Sequence, residues 1–140
     1  MSLQPFHLAI PVNNLEKADH FYGHLLGFEK GRSDKKWIDW NFFGHQLVTH
    51  LKEGGDNDVA AVNLVDGKNV PVPHFGVVLQ WDEWHKFAEK IKTKNIQFII
   101  DPYIRFKGKV GEQATMFFAD PFNNMMEFKA FKNESQLFAK

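Results

Sequence analysis

Two hydrophobic periods alternate along this chain, and the alternation occurs twice. His7–Val12 is a short apolar run closed by a Pro/Asn turn, and it reads as a strand. Asn13 or Asn14 can then cap a helix, because a short polar side chain accepts from the free N–H groups of the first turn. The helical stripe is Leu15, Ala18, Phe21, Tyr22, Leu25 and Leu26, at steps of three and four. Gly27 ends it, since glycine takes the left-handed position after a helix at little cost. Strands at 28–32, Trp37–Phe42 and 46–51 follow, the last after a turn at Gly44.

From His74 the same order begins again. Residues 74–79 read as a strand, Asp82 as a helix cap, and Trp84, Phe87, Ala88 and Ile91 as a helical stripe ending near Lys94 and Asn95. Strands at 96–100, 114–119 and Met125–Phe131 complete the second set. The expected class is therefore α+β, with two βαβββ modules paired into an eight-stranded curved sheet or open barrel with flanking helices. Module one covers about 5–53 and module two about 73–132 of a single domain, joined by a linker at about 54–72 rich in Gly, Asp, Asn and Pro.

Composition narrows the chemistry. The 140 residues are 44% hydrophobic and 24% charged, enough for a packed core. Lys+Arg and Asp+Glu both number 17, so overall charge gives no argument for nucleic acid or an anionic membrane. No apolar run approaches the roughly 20 residues of a membrane span. The first residues lack the basic start and apolar run of a signal peptide, and the expectation is a cytoplasmic protein. Cysteine is absent, so a metal would need nitrogen and oxygen ligands. Phosphate-loop, serine-elbow and nucleic-acid motifs are absent as well.

The histidines carry the sharpest signal. His7 and His74 open equivalent strands, and Glu127 lies on the last strand with Met125 and Lys129 on its face. Two imidazoles and a carboxylate on a shared cavity would form a facial ligand set with open positions on a divalent metal. The plain alternatives are satisfied strand histidines and a solvated glutamate paired with Lys129. His50, in the last strand of module one, can be a fourth ligand, a proton-transfer group or a cavity-wall residue. His20 and His24 lie four apart on the first helix, a spacing more typical of an exposed face, and His85 is expected at the surface. Arg105, within Arg105-Phe106-Lys107-Gly108, sits in a loop that can close over the cavity and hold an anionic substrate group. Trp37, Trp40, Phe42 and Phe75 either wall a site for an aromatic ligand or belong to the core.

Several pieces together resemble the vicinal oxygen chelate superfamily, which includes glyoxalase I, bleomycin-resistance proteins and extradiol dioxygenases. They are His7-Leu8-Ala9-Ile10-Pro11-Val12, His20-Phe21-Tyr22 with Leu25-Leu26-Gly27-Phe28, His74-Phe75-Gly76-Val77-Val78, Phe118-Ala119-Asp120-Pro121-Phe122-Asn123-Asn124, and Glu127-Phe128. Phe43-Gly44-His45-Gln46-Leu47 and Arg105-Phe106-Lys107-Gly108 look like the dioxygenase-like bacterial members. The resemblance implies paired βαβββ modules and a divalent metal (Fe, Mn, Ni, Co or Zn) held by His7, His74 and Glu127. It also implies a small substrate with adjacent oxygens, and it is compatible with a homodimer. Where glyoxalase I carries a glutamate in the last strand of the first module, this chain has His50.

Three functions follow. The first is a metal-dependent lyase, isomerase or dioxygenase acting on a small substrate, anionic or aromatic, with His50 and Arg105 as its further catalytic residues. The second is a metal-free protein of the bleomycin-resistance type that sequesters a planar molecule. The third is an interaction module, for which no motif speaks.

Overall fold

The computed structural model describes residues 3–53 and 61–140; the first part of the linker segment lies outside them. The first module runs β1 (His7–Val12), α1 (Leu15–Ala18) continuing as a π-helical stretch (Asp19–Leu25), β2 (Glu29–Asp34), β3 (Trp37–Phe42) and β4 (His45–Leu51). A hairpin follows, β5 (Ala61–Val65) and β6 (Lys68–Val72). The second module has β7 (Val78–Leu79), α2 (Trp81–Thr93), β8 (Phe98–Arg105), β9 (Gln113–Ala119) and β10 (Met125–Phe131). The α+β class and both βαβββ modules are as expected. Hydrogen bonds gather the strands into two four-stranded sheets, ordered β1-β4-β3-β2 and β7-β10-β9-β8, plus the hairpin. No described helix is long and apolar enough to cross a membrane.

The chain divides into two compact units: Met1–Val59 with Asp120–Asn124, and Ala60–Ala119 with Met125–Lys140. In the first, β1 pairs with β4 in parallel over the whole of β1. Asn14 is the cap, its side chain accepting from the Lys17 amide at 2.9 Å. The helical stripe buries Ala18, Phe21, Tyr22 and Leu26 as expected, but the turns after Ala18 widen, with the Leu26 amide reaching the Phe21 carbonyl five residues back. Ile10, Val12, Trp40 and Leu47 fill the same core, and the Trp40 indole donates to Thr49 at 3.1 Å.

The Asp-Pro turn belongs to this unit, and its job is structural. Asp120 Oδ1 accepts from the Phe122 and Asn124 amides, both at 2.8 Å, while its Oδ2 accepts from the buried Tyr22 hydroxyl at 2.6 Å. Asn124 Nδ2 donates to the Pro11 carbonyl at 2.9 Å, pinning the turn to the end of β1. Burial raises the Asp120 carboxyl above its ordinary range despite these donors, and burial plus the Asp120 charge raises the Tyr22 phenol well above its own.

In the second unit, β7 is shorter than expected because the chain approaches β10 backbone to backbone before it. Phe75 bridges Met126, and the Glu127 amide donates to the Phe75 carbonyl at 2.8 Å. At Gly76 a Cβ would stand 1.5 Å from the Glu127 carbonyl oxygen, so no larger residue fits there unmoved. α2 starts earlier than expected, with Gln80 rather than Asp82 at the cap position; Asp82 and Glu83 fall in the first turn, where carboxylates complement the helix dipole. Trp84, Phe87, Ala88 and Ile91 are its buried face, and the Trp84 indole donates to the Phe128 carbonyl at 2.8 Å.

Two further differences matter for the site. β8 extends through Arg105, which therefore ends a strand instead of lying in a loop. The hairpin β5–β6 occupies sequence expected to be linker and turns at Asp66-Gly67, both with positive φ (50° and 73°), the geometry a two-residue hairpin turn requires.

Candidate metal centre

Period two along β10 decides which side chains are available. Met126, Phe128 and Ala130 are fully buried, while Met125, Glu127 and Lys129 on the other face are only partly covered. Glu127 lies opposite Phe117 on β9, and its Oε2 accepts from the Thr115 hydroxyl at 2.5 Å, a diagonal neighbour across the strands. Lys129 Nζ stands 3.9 Å from the same oxygen. Glu127 Oε1 is left facing His74 Nε2 at 3.1 Å, with the two side chains 12% and 27% exposed.

The proton arrangement on His74 follows from its second nitrogen. His74 Nδ1 lies 2.6 Å from the Pro71 carbonyl. A carbonyl only accepts, so Nδ1 carries a proton and donates. In the neutral ring, Nε2 then presents a lone pair to a carboxylate oxygen. Two acceptors face each other at hydrogen-bond distance, and only a proton or a cation between them makes that contact favourable. The imidazole edge also rests on Phe117, with centroids 5.0 Å apart, which fixes the ring.

His7 repeats this arrangement in the first unit. Its Nδ1 lies 2.8 Å from Gln46 Oε1. Gln46 Nε2 donates to Asp39 at 3.3 Å, and because a carboxylate accepts, the amide must turn its oxygen towards His7. Both histidines thus give Nδ1–H to an oxygen and keep Nε2 for something else, the usual state of a metal-binding imidazole. His45 differs: its Nδ1 accepts from the Phe6 amide at 2.8 Å, so the proton sits on the other nitrogen.

Strand register separates His50 from Glu127. Ala9 pairs with Val48, two positions after the His7–Gln46 pair. In the second unit Phe75 pairs with Met126, which sets Gly76 against Glu127. Val48, not His50, therefore occupies the place that Glu127 holds in the other module. The expected correspondence failed because Val48 and His50 lie on the same face of β4 and spacing alone cannot choose between them. His50 pairs with Pro11 and Trp37 near the end of its strand, exposed.

Arg105 meets Asp66, at the hairpin turn, through Nε at 2.5 Å. Tyr103 donates its hydroxyl to the same Asp66 oxygen at 3.1 Å, and Lys68 lies over the Tyr103 ring at 4.7 Å. The hydrogen bond from Arg105 holds the Asp66 carboxyl below its ordinary range, while burial and Asp66 raise the Tyr103 phenol. Trp40 and Phe42, weighed as cavity walls, are core residues. His20 and His24 are stacked and exposed, and His85 is exposed, as expected.

The structure thus joins His74 to Glu127 in the second unit and places Arg105 there on Asp66; His7 and His50 belong to the first. Among the described residues no group of three or more His, Cys, Asp or Glu side chains stands gathered as a metal site. The pair His74–Glu127 supplies two donors of the kind a divalent metal takes, each oriented by its own partner, so the residues fit such an ion. Thr115, Gln46 and the Pro71 carbonyl escaped sequence reasoning, since nothing local marks a residue that acts through another. Lys129 was visible as a neighbour of Glu127 on the same strand face.

Comparison with known proteins bears on the family and the fold. A sequence model described as the glyoxalase/bleomycin resistance protein/dioxygenase superfamily matches residues 4–128. A glyoxalase/bleomycin resistance protein/dioxygenase from Alicyclobacillus acidocaldarius is 32% identical with a TM-score of 0.80, over 96% of each chain. The fosfomycin resistance protein FosX from Listeria monocytogenes shares the fold at 19% identity and TM-score 0.67, over 98% of this chain and 100% of that one. So does a lactoylglutathione lyase from Agrobacterium tumefaciens, at 13% identity and TM-score 0.64, over 98% and 97%. No curated protein matches the sequence.

Proposed function

The chain belongs to the glyoxalase/bleomycin resistance protein/dioxygenase superfamily, and on that footing we propose that it is a metal-dependent enzyme acting on a small substrate with two neighbouring oxygens. Its ligands are His74 and Glu127, with His7 as the third. The observation that carries this reading is the 3.1 Å contact of His74 Nε2 with Glu127 Oε1 while Nδ1 is committed to a carbonyl. His7 is supported by the same commitment of its Nδ1 and by the sequence resemblance.

A bound divalent ion would supply Lewis-acid polarisation of the two substrate oxygens, or oxygen chemistry if it is iron. The protein's own groups do the rest. Thr115 holds the Glu127 carboxylate, and the Pro71 carbonyl and Gln46 take the Nδ1 protons and so aim the imidazole rings, leaving Nε2 as the ligand atom of the neutral tautomer. His50 is the proton-transfer group in this reading, because an imidazole moves protons near neutral pH. Arg105 binds an anionic group of the substrate.

The experiment is elemental analysis of untagged protein beside Glu127→Ala, His74→Ala and His7→Ala. Near-stoichiometric metal lost in each variant, with circular dichroism unchanged, is the expected result; full occupancy in one variant removes that residue from the set. A second reading, a metal-free sequestering protein, draws on a basic cavity of about 380 Å³ in the second unit that needs no metal to hold a ligand.

A further inference from the structure

The same cavity says more about the ligand. It lies where β8 and β10 end and β9 begins, with Gln136, Leu137, Ala139 and Lys140 also lining it, and its volume of about 380 Å³ is within the range of about 300–1,000 Å³ usual for small-molecule sites. Its charged lining side chains are Arg105, Lys129 and Lys140, all basic, and none is acidic. Phe131 and Leu137 give it apolar wall. Asp66 meets Arg105 through Nε, one of five donors on the guanidinium, and so fixes its plane from one side. Lys129 stands 3.9 Å from Glu127, beyond hydrogen-bond distance, so that pairing leaves its ammonium donors unspent.

Gln113 is the unusual member. It is 7% exposed, its Nε2 donates to the Gly111 carbonyl at 3.2 Å, and its Oε1 is buried without a hydrogen-bond partner among the described residues. Native proteins seldom keep a buried acceptor unmet unless something else meets it.

We propose that this cavity binds an amphipathic organic anion whose oxyanion lies against Arg105 and Lys129 and whose hydroxyl or amine donates to Gln113. The reading above enters only in identifying this ligand with the substrate, for Lys129 shares the β10 face with Glu127. The anion supplies what two basic side chains lack, the apolar body covers Phe131 and Leu137, and the donor satisfies Gln113. A polar neutral molecule would offer no charged acceptor to the donors that Asp66 and Glu127 leave open on Arg105 and Lys129, and an anion without a donor would leave Gln113 unmet.

The test is calorimetric titration with 3-phenyllactate, 3-phenylpropanoate and the neutral amide of 3-phenyllactate, on the protein as purified and after chelator treatment. Phenyllactate is expected to bind about tenfold or more tighter than its amide, and several-fold tighter than phenylpropanoate. Arg105→Gln and Lys129→Gln should each cost about tenfold for both acids. Gln113→Leu should erase the preference for the hydroxyl and keep the preference for the anion. On unaltered protein, raising salt from about 0.05 to about 0.5 M should weaken the acids and not the amide, a readout that survives a misfolded variant. Equal binding of acid and amide, binding indifferent to salt and to both substitutions, or no binding of any probe overturns the proposal. Binding that persists after chelation while the protein carries no metal sinks the enzyme reading alone; stoichiometric metal without anion binding sinks this inference alone.

Discussion

His7 and His74 head equivalent segments of the two modules, and their surroundings differ in three places. His7 gives its Nδ1 proton to a side chain, Gln46, while His74 gives it to the backbone at Pro71. Two residues on, module one has Ala9 where module two has Gly76. Across the ladder from these stand Val48 and Glu127. The first module therefore presents an imidazole alone, and the second an imidazole with a carboxylate already against it. Duplicated architecture sets where donors can stand, and one position per module decides whether a donor stands there. The comparison also explains why the second module needs a glycine: its backbone closes on β10 at the residue that carries the carboxylate.

The largest expected effect breaks that close approach. Gly76→Ala puts a methyl carbon where the Glu127 carbonyl oxygen is, and neither backbone can yield without breaking the Phe75–Glu127 hydrogen bond. We expect a loss of about 3 kcal/mol or more in denaturant unfolding, together with loss of metal binding. The converse change in the first module, Ala9→Gly, removes a methyl from a regular parallel ladder and should cost no more than about 1 kcal/mol. Equal losses from the two substitutions would show that the modules are built alike at this position.

The next effect tests the partners that orient the donors. Thr115→Val keeps shape and removes the hydroxyl on Glu127; Gln46→Met removes the oxygen on His7. Each should weaken Mn(II) or Zn(II) binding by about 10- to 100-fold while the thermal midpoint moves little. A change in only one of the two would assign the metal to that module's histidine. Affinity unchanged in both would return these contacts to ordinary strand packing.

How much of this was legible depended on whether the signal was periodic. The helical stripe from Leu15 to Leu26 and that from Trp84 to Ile91 were readable because burial repeats every three or four residues. The widening of the first helix was not, since the chain carries leucine at both 25 and 26, and a regular turn would bring Leu25 over Phe21 where the wider one brings the buried Leu26. The Asp-Pro turn was visible as a motif, and its physical content is the Asp120 carboxylate collecting two amides and a phenol. The hairpin was hidden: its apolar residues Val62 and Leu64 are 55% and 75% exposed, so burial imposes no pattern on them. Within the candidate site, residue identities at His7, His74 and Glu127 stood out, whereas the Val48 correspondence required register. Gln46, Thr115 and Pro71 required hydrogen-bond geometry, which no spacing reports.

The smallest effect concerns how each module ties a carboxylate to its second sheet strand. In the first, Asp19 pairs with Lys30 on β2 at 2.8 Å, both side chains more than 40% exposed, and salt should screen that pair to near nothing. In the second, Asp66 serves Arg105 and Tyr103 together at the tip of a hairpin. Its carboxyl is held below its ordinary value of 3.8, so the unfolded chain binds protons there more readily than the folded one. The stabilisation is present in full above that ordinary value and disappears as pH falls through the folded one. Asp66→Asn should therefore lower the thermal midpoint slightly at neutral pH, with the gap to the wild type closing in acid. It should also bring the Tyr103 phenol, raised by burial and by Asp66, down towards its ordinary 10.0 in an ultraviolet titration. A midpoint gap that stays constant through the acid range would mean that shape and hydrogen bonding, not charge, hold the hairpin to β8. The Asp19→Asn control should lower the midpoint at neutral pH by less than Asp66→Asn, because both side chains of its pair are more than 40% exposed and salt screens them.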